Sequence, residues 1–171
     1  MIVLKTKDFI LRRPKISDLK SFHKNKNDPV IAKNMFRPIY PLSIKQAKKD
    51  LLELIKDNKK KENDVFMIDI NGNAIGMIEL FEIIPNHKAK IGYWVGNNYR
   101  GKGIGTKALK LMTRYGFKKY NLKKITANVF IYNKASAKAL EKAGFKLEGI
   151  LKKNRLKNNK YIDDKFYAIL R

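Results

Sequence analysis

The chain has no cysteine among its 171 residues. That removes a disulfide framework, a thiolate metal site and a cysteine nucleophile together. Histidine is nearly as scarce: His23 and His87 stand far apart, so both read as surface residues and no metal-ligand cluster is expected. No apolar run approaches the ~18 residues a membrane helix needs, and the first residues lack a secretory pattern. The expected location is the cytoplasm, with no membrane partner. Linkers, internal repeats and low-complexity blocks are missing too, so residues 1–171 read as one domain with a continuous core. Acidic residues are few, 15 Asp plus Glu against 39 Lys plus Arg, for a formal charge of +24. A field of that sign attracts anions. The lysines are spread along the whole chain, as at Lys59–Lys61, Lys118–Lys119 and Lys152–Lys153, with abundant asparagine and one glutamine. That reads as compositional bias in preference to a dedicated nucleic-acid face, and no basic patch interleaved with aromatics supports one.

Hydrophobic periodicity supplies the elements. Residues 7–14 read as a strand, and Ser17 with Asp18 opens a short helix that ends before Pro29. Over 42–57, Ser43 and Gln46 have capping-box spacing, and Ile44, Ala47, Leu51, Leu54 and Ile55 share a helical face. Residues 64–70 and 73–83 flank Asn71-Gly72, a type I′ turn dipeptide, and 88–95 makes a third strand. Ile104, Ala108, Leu111, Met112 and Tyr115 recur at helical spacing, with Lys118 and Lys119 at the negative end of the dipole. A strand over 123–132, a helix over 134–143 and a final strand pair complete an α/β sandwich. Its sheet is mostly antiparallel, with one crossover from 88–95 to 123–132.

The stretch "NYRGKGIGTKAL" (98–109) places Gly101, Gly103 and Gly105 on alternate positions where that helix begins. A helix N-terminus offers unpaired N–H groups and partial positive charge to phosphate oxygens, and the glycines leave the approach bare. A Walker loop fails because Lys102 is followed by Gly103; a dinucleotide fingerprint fails because Thr106 stands at its third glycine and Lys123 and Lys124 at its acid. R/Q-x-x-G-x-G/A fits, from Arg100 to Gly105.

That loop resembles the coenzyme A pyrophosphate loop of the GNAT superfamily of N-acetyltransferases. "NKASAKALEKAGF" adds Asn133, Ser136 and Gly144-Phe145 at the superfamily's second motif. Locally, Asn133 is also a good N-cap and Gly144 a good C′ residue for a cap that packs Phe145 on Leu140. "IGMIEL", "KIGYWV", "LEGIL" and "KYIDDKFYAIL" are similar to the branch containing RimJ, RimL and the spermidine acetyltransferases, and the resemblance covers nearly the whole chain.

The resemblance implies a mixed sheet of about seven strands, helices on both faces and a splayed central strand pair. It implies acetyl-CoA as co-substrate and no metal. The donor would lie on Arg100, Gly101, Lys102, Gly103, Ile104, Gly105 and Thr106, on backbone around Trp94 and Val95, and on Asn133. The acceptor would be a primary amine attacking directly: a protein N-terminus, as in the ribosomal-protein enzymes, or a small amine such as a polyamine or amino sugar. The tyrosine that some relatives use as an acid seven residues after the Asn is replaced by Leu140, so Ser136, one turn earlier, is the candidate for stabilising the leaving sulfur. Glu79 is the candidate base, its parity with Ile75, Met77 and Phe81 setting it in an apolar series on the face opposite Glu82. Asp163 is the expected ammonium partner. A non-catalytic coenzyme A or RNA-binding module on this fold is the alternative, and the oligomer is a monomer or an edge-strand homodimer.

Overall fold

The computed structural model describes residues 3–58 and 63–171; the Lys59–Lys61 run lies outside the described residues. The strands are β1 (Val3–Lys5), β2 (Ile10–Arg12), β3 (Asp64–Ile70), β4 (Asn73–Ile84), β5 (Lys88–Val95), β6 (Lys124–Phe130), β7 (Lys146–Lys157) and β8 (Lys160–Leu170). The helices are α1 (Leu19–Lys26), α2 (Pro29–Asn34), α3 (Ile44–Asp57), α4 (Ile104–Tyr120) and α5 (Lys134–Ala143).

The strands form one sheet in the order β1-β2-β3-β4-β5-β6-β8-β7, every pairing antiparallel except β5 with β6. The eighth strand arises at the amino end. The expected strand over 7–14 is shortened to β2 by a tight turn in which Thr6 Oγ1 accepts from the amides of Asp8 and Phe9, and the chain before that turn pairs with it as a further three-residue strand, β1. Helix α2 also exceeds the expectation. Asp28 caps it by accepting from the amides of Val30 and Ile31, and Pro29, which ends α1, occupies the first turn of α2, where its missing N–H costs nothing.

Local signals hold elsewhere. Asn71 and Gly72 carry φ 51° and 82°, as a type I′ turn requires. Ser43 Oγ accepts from the amide of Gln46; the reciprocal half of the capping box is missing because the Gln46 side chain donates to Asp50 at 2.6 Å. At the end of α5, Gly144 (φ 101°) sends its amide to Glu141 O and the Phe145 amide to Leu140 O, a Schellman cap.

Two apolar clusters sandwich the sheet. One holds Phe66, Ile78, Leu80, Leu109, Met112 and Leu140 beneath α4 and α5; the other holds Phe22, Leu51, Val65, Met67, Met77 and Trp94 beneath α1 and α3. On α4 the buried stripe runs through Ile104, Ala108, Leu109, Met112, Thr113 and Gly116, so Leu109 takes the central place that periodicity gave to the half-buried Leu111. His23 is half-buried, its Nε2 2.7 Å from Leu42 O, whereas His87 is exposed.

Candidate active site

The site exists because β5 and β6 part company. Their parallel ladder covers only Lys88–Lys90 against Lys124–Thr126. Beyond it, Ile91–Val95 and Ala127–Phe130 diverge and line a cleft of about 730 Å³. Parallel strands cannot separate without exposing ladder N–H and C=O groups. The gap is therefore an unfilled strand position.

Helix α4 points its N-terminus at this gap. Gly103 is its N-cap, and the first intrahelical bond comes from the Lys107 amide to Gly103 O, so the amides of Ile104, Gly105 and Thr106 precede the ladder. Gly101 and Gly103 both hold left-handed backbone (φ 74° and 75°), and a Cβ on either would meet nothing within 4 Å. Glycine is thus demanded by conformation, and the space above it is open to a ligand. Gly105 is demanded by contact: its Cβ would lie 2.9 Å from Cε2 of Tyr93.

Of the expected donor residues, Trp94, Val95, Arg100, Gly101, Gly103, Ile104, Gly105, Thr106 and Asn133 all border the cleft. Lys102 does not: its ammonium donates to Asn98 O at 3.0 Å. Arg100 is engaged by protein groups. Its Nε donates to Val95 O at 2.9 Å, and its Nη2 lies 3.0 Å from Asp28 without hydrogen-bond alignment. The Val95 carbonyl is thereby engaged, and the loop is tied to the cap of α2. The indole of Trp94 packs edge-on against Phe22 at 5.7 Å, on the α1 side of the sheet.

Asn133 caps α5 through the Ser136 amide at 3.2 Å, which aims the first turn of that helix into the cleft. Ser136 Oγ there receives the hydroxyl of Tyr93 at 3.4 Å. Burial pushes the Tyr93 phenol up, so it keeps its proton and can donate. Nothing in the linear order marked Tyr93; it meets Ser136 through the crossover.

Glu79 stands on β4 opposite Gly92 of β5. A Cβ at Gly92 would lie 3.4 Å from both the Glu79 Oε1 and the Phe81 ring, so the glycine leaves these side chains room. Burial pushes the Glu79 carboxyl up to about 7, Asp57 adding to the push and Lys26 opposing it. Among the described residues no hydrogen bond reaches that carboxylate. The parity argument is corrected in one respect: Ile68 pairs with Gly76 and Asp69 with Ala74, so Ile75 is an extra residue and joins the opposite cluster from Met77. Glu82 is not opposed to Glu79 either. Its backbone is left-handed (φ 51°) at a second register shift, and both carboxylates border the cleft.

Asp163 does not reach the cleft; it accepts from Lys152 Nζ at 2.9 Å and the Lys153 amide at 2.8 Å on the β7–β8 hairpin. Its neighbour Asp164 does, 1% exposed and held by Arg155 Nε at 2.8 Å and Asn154 at 2.7 Å. The opposite wall is α2, gripped at its C-terminus by Lys157, whose Nζ donates to the carbonyls of Ala32 (3.2 Å), Lys33 (2.5 Å) and Met35 (2.8 Å). Among the described residues no group of three or more His, Asp or Glu could hold a metal, and no helix is long and apolar enough to cross a membrane.

Comparison with known proteins places this geometry. Residues 8–146 match the family model described as "Acetyltransferase (GNAT) domain". The chain is 42% identical over 98 residues to the probable N-acetyltransferase YjcK of Bacillus subtilis (strain 168), an alignment spanning 56% of this chain and 54% of that protein. It is 27% identical to the ribosomal-protein-serine acetyltransferase of Escherichia coli (strain K12), covering 81% of this chain and 88% of that one. The figures for the spermidine N(1)-acetyltransferase of the same organism are 29%, 88% and 80%. Among solved structures, the microcin C7 self-immunity acetyltransferase MccE, in complex with acetyl-CoA and AMP, superposes with a TM-score of 0.86 at 25% identity, over 97% of this chain and 94% of that one. RimL in complex with coenzyme A shares the fold at a TM-score of 0.89 and 22% identity, covering 99% and 98%. With its glycine-led helix aimed into a splayed parallel pair and its family model spanning 8–146, this chain belongs to the GNAT acetyltransferase family.

Proposed function

We propose that the protein is an acetyl-CoA-dependent N-acetyltransferase acting on a primary amine, either a protein N-terminus or a small amine. The observation that carries this is the splay, an open strand position with bare helix amides at one side and the Tyr93–Ser136 hydroxyl pair within it. The residues fit the donor. Gly101 and Gly103 leave a cradle that any Cβ would enter, and the amides of Ile104, Gly105 and Thr106 suit diphosphate oxygens. The edge of β5 that faces β6 has no strand partner beyond Lys90, and its free groups before the engaged Val95 carbonyl suit a strand-like amide chain.

Acetyl-CoA supplies a thioester carbonyl as acyl donor and a thiolate as leaving group. Glu79, charged above its pKa of about 7, takes a proton from the acceptor ammonium, directly or through one water, so that the amine can attack. Ser136 Oγ, accepting from Tyr93, keeps its own proton free to give up on the leaving side. Asn133 acts as a positioning residue by fixing the turn that carries Ser136. The relatives named for ribosomal-protein serine and for spermidine support the two acceptor classes.

The test is product identity: incubation with acetyl-CoA and a panel of peptides and small amines, followed by mass spectrometry of the acceptors. An acetylated amine formed only with the protein present supports the proposal. No acetylated amine, together with no thermal protection by acetyl-CoA, overturns it.

A further inference from the structure

Asn34 ends α2 in the cleft wall with a hydrogen-bonding deficit. Its Nδ2 donates to Val30 O at 2.9 Å, which fixes the amide orientation, since the flipped form would set two oxygens together. Its Oδ1 is then buried with no donor among the described residues. A buried acceptor left unpaired is costly, so the atom calls for an N–H or O–H, which a molecule in the cleft that Asn34 lines can supply once the side chain turns toward it.

Charge decides which kind. Among the described residues the cleft has three carboxylates, and two are neutralised: Glu82 by Lys90 at 2.7 Å and Asp164 by Arg155 at 2.8 Å. Glu79 remains without a hydrogen bond or close ion pair among the described residues. Lys138 and Lys142 of α5 line the same cleft. A polycation entering here finds its counter-charges taken and further cations nearby. A molecule with one amine and a neutral amide N–H close by finds both of its partners free, Glu79 for the amine and Asn34 for the amide.

We propose that Asn34 determines acceptor specificity, its Oδ1 accepting a hydrogen bond from a neutral N–H of the acceptor, so that the site takes an amino amide in preference to a polyamine. The inference rests on the acetyltransferase reading.

The experiment compares kcat/KM for thiol release from acetyl-CoA with three acceptor types. These are amino-acid N-methylamides (alanine, serine, methionine), the matching methyl esters, in which oxygen replaces the N–H, and spermidine. The pH is set above the amine pKa values of amide and ester. The wild type prefers amide to ester by about tenfold, the scale of one hydrogen bond in a formed site, and prefers the amide to spermidine. In Asn34→Leu the amide-to-ester ratio falls toward one while thermal protection by acetyl-CoA stays at the wild-type level. Should that variant fail to fold, the wild-type ratio tests the proposal by itself. Equal turnover of amide and ester, a ratio unchanged in Asn34→Leu, or a preference for spermidine would each overturn it with the acetyltransferase intact. Absence of thiol release with every amine would overturn the acetyltransferase reading, and this inference with it.

Discussion

The hydroxyl of Tyr93 on β5 lies 3.4 Å from Oγ of Ser136 on α5, a contact that crosses the splay and joins the strand before the crossover to the helix after it. If this pair protonates the leaving sulfur, Ser136→Ala and Tyr93→Phe each lower kcat by about 10- to 100-fold, the weak end of proton-transfer effects because a thiolate leaves readily. Acceptor KM changes little. Steady-state kinetics on the two single variants and the double variant checks this, and the double variant falls well short of the product of the singles because the residues act as one unit.

Gly105→Ala perturbs the same pair without removing either hydroxyl. Its Cβ would lie 2.9 Å from the Tyr93 ring, so the ring must shift away from its present place beside Ser136. Overpacking of about 1–3 kcal/mol opposes the gain of about 1 kcal/mol from alanine in a helix, and thermal melts register a net loss. The kcat falls as in Tyr93→Phe.

Glu79 gives the pH dependence its sign. Its folded pKa is about 7, above the ordinary value of 4.5, and catalysis uses the deprotonated form. The log of activity rises with a slope that approaches one below pH 6, bends near pH 7 and levels off by pH 8, and Glu79→Gln flattens that limb while lowering the plateau. Stability runs the other way: between pH 4.5 and 7 the folded state holds a proton the unfolded chain has lost, so stability falls with rising pH. Glu79→Gln is then more stable than the wild type at pH 8, by at most about 3 kcal/mol, and the gain disappears below pH 4. Denaturant titrations at pH 4 and pH 8 measure it.

Helix α2 is held at both ends, by Asp28 toward Arg100 and by Lys157 on its last carbonyls. Asp28→Ala loses the cap as well as the ion pair and costs about 1 kcal/mol; Asp28→Asn keeps the cap and costs only a few tenths. Lys157→Met loosens the wall on the acceptor side, raising acceptor KM several-fold while the affinity for acetyl-CoA, read by calorimetry, stays within about twofold.

Much of this fold was legible because its signals are local. The Asn71-Gly72 turn, the Ser43 cap and the Gly144 cap each depend on a few neighbouring residues; the turn and the Gly144 cap formed as read, and Ser43 formed its half of the capping box. Strand β1 was hidden because three residues cannot show alternation, β2 was read too long at 7–14, and the Asp28-Pro29 start of α2 was present but read as an ending. The candidate site was legible where it is contiguous, over 100–106 apart from Lys102 and at Asn133 and Ser136, in the sense that these residues border the cleft. It was illegible where it is assembled: Tyr93 reaches Ser136 across the crossover, Asn34 enters from α2, and register shifts at Ile75 and Glu82 defeat period-two reasoning on β4. One residue of register also separates Asp164 in the cleft from Asp163 on the hairpin surface.

The central claim is that the glycine-led helix and the splay together hold an acetyl donor for transfer to an amine. The most direct measurement is the rate of thiol release from acetyl-CoA with and without amine, in the wild type and in Gly103→Glu, whose carboxylate would occupy the open space above the helix terminus. The account predicts amine-dependent release by the wild type and none by a variant that still folds. Equal amine-dependent release by both proteins would contradict it.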